Sequence, residues 1–110
     1  MKTIKLGNRE ITIVGSPMTP YFYKKEFNQS FSGDLLKMQE LQFDQSSLDD
    51  INLLQMIWAM EKTYKMGKDM KDFESWLMDF EYFDISDVIK EVVEEATNAT
   101  FRGEETSESK

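Results

Sequence analysis

The only side chains in this sequence whose type and spacing invite chemistry are carboxylates. Asp69, Asp72, Asp79 and Glu81 crowd a stretch that also holds Phe73, Trp76 and Phe80. A carboxylic acid held against an indole can keep its proton near neutral pH and serve as a general acid. Such catalysis needs two acids converging across a cleft, whereas acids on a helix ordinarily sit on its wet side. Nothing else in the chain can assist them. There is no histidine and no cysteine, which removes the commonest general base, the thiolate nucleophile and the soft metal ligands. Asp84 and Asp87 lack the alternating oxygen ligands and central glycine of a calcium loop. No glycine-rich phosphate loop or nucleophile elbow occurs. The expectation is a protein that is not an enzyme and uses neither cofactor nor metal. A hydrolase working with carboxylates alone is the outsider.

The elements that would hold these residues follow from periodicity. Lys2–Leu6 and Arg9–Val14 alternate polar and apolar residues around Gly7-Asn8, which predicts a β-hairpin. Thr19-Pro20 reads as a hydroxyl cap followed by proline in the first turn. The helix it opens carries Tyr23, Phe27 and Phe31 and ends near Ser32-Gly33. Asp34 then caps a short helix through Leu35, Leu36, Met38, Leu41 and Phe43, and Asp44–Ser47 forms a loop. From Leu48 to Met66 only a narrow polar stripe interrupts the apolar residues, so this helix is the expected centre, opened by Ser47 and closed by Gly67. A helix over Asp69–Phe83 would show Phe73, Trp76, Leu77 and Phe80 on one face. Asp84 or Ser86 caps the last helix, whose stripe is Ile85, Val88, Ile89, Val92, Val93 and Ala96, with Glu91, Glu94 and Glu95 off it. The fold class expected is mainly α (α+β): four or five helices around a buried central helix, with an N-terminal β-hairpin. Residues 1–101 form one globular domain, and residues 102–110, an acidic tail without apolar side chains, stay disordered.

Charge and composition narrow the function. The net charge of −8 is uneven, +1 over residues 1–68 and −9 over residues 69–110. An acidic half repels a phosphate backbone, so nucleic acid is not an expected ligand. No apolar run is long enough to span a membrane, and the N-terminus has no signal-peptide core, so the expected place is the cytoplasm. Eight methionines and fourteen aromatic residues suit contact with other proteins. Met56 and Met60 belong to the core, whereas Met18, Met38, Met70 and Tyr82 fit the stripes less well and are candidates for an exposed patch. The last helix offers a further candidate. Its stripe of Ile85, Val88, Ile89, Val92, Val93 and Ala96 either faces a partner or packs on the central helix as core.

Four stretches in order carry a resemblance: I-K-L-G-N-R-E-I-T-I at Ile4–Ile13, L-L-Q-M-I-W-A-M at Leu53–Met60, F-E-S-W-L at Phe73–Leu77 and D-I-S-D-V-I-K-E-V-V-E-E-A at Asp84–Ala96. Together they resemble the tail assembly chaperones of long-tailed bacteriophages of Gram-positive hosts. The resemblance spans about residues 1–101 and implies no catalysis. It implies protein partners, the tape-measure protein and tail-tube subunits, met in the host cytoplasm. It also implies a longer frameshifted form, and self-association of the chain is compatible with it. A different class remains beside it: an acidic protein-binding inhibitor that mimics nucleic acid and blocks a DNA-binding enzyme.

Overall fold

A computed structural model describes residues 1–40 and 50–100 of the chain. The expected continuation of the second helix through Leu41 and Phe43, the Asp44–Ser47 loop with its Ser47 cap, the start at Leu48 and the acidic tail at 102–110 lie outside the described residues.

Among the described residues the architecture is α+β, an antiparallel hairpin followed by five helices. Strands β1 (Lys2–Leu6) and β2 (Arg9–Ile13) pair with Ile4 opposite Ile11 and Leu6 opposite Arg9. Strand alternation sends Ile4, Leu6, Ile11 and Ile13 to one side, and all four are buried. The turn depends on Gly7 twice. Its φ is +64°, and a Cβ there would fall 1.8 Å from the Tyr82 carbonyl oxygen.

Helix α1 (Met18–Phe27) starts one residue before the expected cap, and Thr19 lies inside its first turn. The Thr19 hydroxyl is fully buried, 2.7 Å from the Thr63 hydroxyl, and accepts from the Ser16 N–H. It joins α1 to the central helix rather than capping α1. The helix also ends earlier than expected. Asn28 takes the left-handed conformation (φ 56°) and returns its N–H to Lys24 O. Ser30 then accepts the Gly33 N–H, so α2 (Phe31–Glu40) opens at Phe31, and Asp34 sits inside the helix instead of capping it. The aromatic period of four runs straight through the break: Tyr23 meets both Phe27 and Phe31 edge to face although two helices supply them.

Helix α3 (Asp50–Tyr64) is the buried centre, packing on α1, β2 and α5, with every residue from Met56 to Glu61 buried. The Trp58 indole donates to Lys71 O at 2.9 Å. At its C-terminus the Gly67 N–H reaches Lys62 O and the Met66 N–H reaches Thr63 O, the two bonds of a Schellman motif. Gly67 is therefore the second residue past the cap, and Met66 carries the left-handed conformation (φ 56°).

The expected helix over Asp69–Phe83 shrinks to α4 (Phe73–Met78), capped by Asp72, whose carboxylate accepts the Ser75 N–H. Glu26 of α1 accepts the Phe73 N–H and holds the same end. An irregular segment then leads to α5 (Ile89–Thr100). Asp84 accepts both the N–H and the hydroxyl of Ser86, closing a turn before that helix begins. Among the described residues no helix is long and apolar enough to cross a membrane.

Candidate partner surfaces

The last-helix stripe is an interior face. Val92 and Ala96 are fully buried, and Ile85, Val88, Ile89 and Val93 are less than one-tenth exposed. The cause is the company α5 keeps. It packs against α2, α3 and β1, and an Ile/Val face gains more from that cover than from water. Of the two readings of this stripe, partner-facing or core, its burial is that of core, and Ile85, Val88, Ile89, Val92, Val93 and Ala96 are not an open face.

Glu95 corrects the expectation further. It was placed off the stripe, yet it is 2% exposed. Val88, Val92, Glu95 and Ala99 follow one another at i, i+4, i+7 and i+11, so the acid does belong to the buried face. Its carboxylate accepts the Gly15 N–H at 2.9 Å and the Met1 ammonium at 3.2 Å. Gly15 comes so close that a Cβ would lie 2.0 Å from the Glu95 carbonyl oxygen. What α5 leaves outside is a shallow groove lined by Asp87, Ile89, Lys90, Glu91, Val93 and Glu94. There Glu94 receives the Lys2 ammonium at 2.5 Å, and this bond holds the carboxyl below its usual range.

The four acids around the aromatic helix each have a structural partner or face water. Asp72 caps α4. Asp79 takes the Lys71 ammonium at 2.7 Å, which lowers its pKa. Glu81 contacts Asn8 of the hairpin turn, and Asp69 is exposed at φ 53°. Asp84 is likewise held low by its bonds from Ser86. Because the folded values of Asp79, Asp84 and Glu94 lie below the unfolded ones, their support is present above the ordinary carboxylate range and fades as pH falls below about 4.

The carboxylate that meets a tryptophan is one that sequence reading passed over. Glu61 is 5% exposed, accepts the Trp76 indole N–H at 2.6 Å on one oxygen and faces the Lys65 ammonium at 3.4 Å on the other. Both oxygens are engaged by neighbours, so this acid ties α4 to α3 rather than standing ready to transfer a proton. Its signal was available: Leu54, Ile57 and Glu61 share one face at i, i+3 and i+7.

Exposed apolar area gathers in two other places. The first lies where α1 meets the end of α3. Phe22 stands 5.8 Å from Tyr21 by ring centroids, the Lys62 ammonium lies 5.0 Å over the Phe22 ring, and Lys25 lies 5.9 Å over Tyr21. A Cβ on Gly67 would touch Phe22, which brings Met66 and Lys68 alongside. Tyr21 is 55% exposed and Met66 80%. The second is the segment from Met78 to Asp87, where Met78, Tyr82 and Phe83 are open among Asp79, Glu81, Asp84 and Asp87. Of the four residues expected in a patch, Met18 and Tyr82 are exposed, Met70 is half-buried, and Met38, on the inner side of α2, is buried.

No family model, curated protein or solved structure matches this chain.

Proposed function

We propose that the chain is a tail assembly chaperone of a long-tailed bacteriophage, binding the tape-measure protein and tail-tube subunits in the host cytoplasm while the tail is built. The observation that supports this reading is the organisation of the four stretches that carry the resemblance. Ile4–Ile13 is the hairpin, Leu53–Met60 the buried centre of α3, Phe73–Leu77 the body of α4, and Asp84–Ala96 the turn and stripe of α5, all around one core. A chaperone of this kind needs no bound nucleotide. It acts by mass action, covering apolar client surface in proportion to its concentration and affinity. Exposed Tyr21, Met66, Met78 and Tyr82 supply flexible and aromatic side chains suited to such contacts.

The test is co-expression with fragments of a tape-measure protein from a phage of a Gram-positive host. The soluble fraction of the fragment should rise several-fold with the chaperone and fall back when Met66 and Tyr82 are both changed to serine. An unchanged soluble fraction would overturn the reading. The inhibitor alternative draws on the acidity of residues 69–110, but Lys71 and Lys2 already engage Asp79 and Glu94. A mimic of a phosphate backbone works by presenting its carboxylates unpaired. Tight, salt-sensitive binding to a basic nuclease would favour that alternative.

A further inference from the structure

Two exposed regions of this molecule are chemical complements. The surface at the α1–α3 end combines Tyr21, Phe22 and Met66 with Lys25, Lys62 and Lys68. The end of α4 and the irregular segment after it combine Met78, Tyr82 and Phe83 with Glu81, Asp84 and Asp87. Each mixes aromatic and methionine side chains with charge, mainly lysine on the first and mainly carboxylate on the second, where Lys5 also lies beside Tyr82, Asp84 and Asp87.

We propose that the lysine-bearing aromatic surface at the α1–α3 end is the docking site for segment 78–87 of a second copy of this chain. Charge complementarity commits the site to that occupant. Lys25 and Lys68 meet Glu81 and Asp87, while Tyr82 and Phe83 stack against Tyr21, Phe22 and the lysine ammoniums, as aromatic and cation–π contacts require. The backbone of the segment suits the role. Between the end of α4 at Met78 and the turn at 86–88 it forms no helix or strand, and Tyr82 O already meets the hairpin at Gly7, which keeps the aromatic side chains presented. Because the two surfaces differ, a head-to-tail contact is heterologous and builds a ring or an open row of copies, whereas mutual exchange of segments closes a pair. This inference goes beyond the chaperone reading and does not require it.

The net charge of −8 opposes assembly at long range. Salt screens that repulsion over about 10 Å at 0.1 M while sparing close ion pairs, whereas about 1 M salt weakens the pairs too. Sedimentation velocity on the purified chain should therefore show concentration-dependent association near 0.1 M salt and monomer near 1 M. The double variant Lys25→Glu with Lys68→Glu should be monomeric at both, as should Glu81→Lys with Asp87→Lys. All four positions are exposed, so melting temperatures should stay near that of the unaltered chain. Mixed in equal amounts, the two charge reversals restore opposite charge at both contacts, and the mixture should associate again. A chain that stays monomeric at 0.1 M, association that survives either reversal, or a mixture that remains monomeric would each overturn the proposal.

Discussion

The apolar stripe of α5 and the aromatic surface at the α1–α3 end differ in opposite ways from how they look in a helical projection. The stripe is regular, wholly Ile, Val and Ala, and buried. The surface is irregular, built from Tyr21, Phe22 and a methionine beyond a helix end, and open. A clean period marks the side that another element has already covered, because folding selects continuous apolar faces for burial. Area left for a partner is better sought where apolar side chains break the period and carry lysines with them.

That contrast can be broken experimentally, and the largest effect should come from the stripe. Val92→Asp puts a carboxylate at a fully buried position, so it should cost about 5 kcal/mol or more and abolish cooperative melting. A folded Val92→Asp protein would show the stripe to be open after all. Next comes Trp58→Ala, which removes a fully buried indole together with its bond to Lys71 O. Chemical denaturation should show a loss of about 3–5 kcal/mol. At the α1–α3 end the effects shrink and one reverses. Met66→Gly relieves a left-handed residue whose side chain is 80% exposed, and should raise stability by about 0.5–1 kcal/mol. A loss on that change would mean the Met66 side chain is packed. Tyr21→Ser should move the midpoint by no more than about 0.5 kcal/mol, as exposed positions do. In the self-association assay the same change should weaken assembly.

Much of the fold was legible because its signals are local. Gly7-Asn8 between alternating strands and the nearly all-apolar run from Leu53 to Met60 each point to one conformation. The failures share a different cause. Asn28 and Ser30 break an aromatic period that continues in space, so periodicity alone joined two helices into one. Asp72 shortens the fourth helix because Glu26, distant in sequence, shares the capping of Phe73. Glu61 drew no reading from its sequence and Glu95 read as lying off the stripe, yet tertiary partners bury and satisfy both, Trp76 for one and Gly15 for the other. A buried acid is decided by what faces it, and the facing residues lie 15 and 80 positions away. The surface proposed for docking was legible only in part. Tyr82 stood out as a residue off the stripes, but Tyr21 and Phe22 look like the ordinary flank of an aromatic helix until Gly67 is brought against them.

The contact of Gly15 with the Glu95 backbone has a temporal meaning. It joins positions 80 residues apart, and the Gly7–Tyr82 approach joins positions almost as distant. Loops of that length close slowly, because their entropy must be lost before any contact compensates it. On the ribosome the hairpin is made first, α3 reaches β2 midway, and the contact of α5 with β1 comes last. Until then Ile4, Leu6, Ile11 and Ile13 have only part of their cover, and a two-stranded ribbon is marginal by itself. Nascent chains stalled before residue 85 should therefore be protease-sensitive throughout, and those released beyond residue 100 should gain protection in a single step.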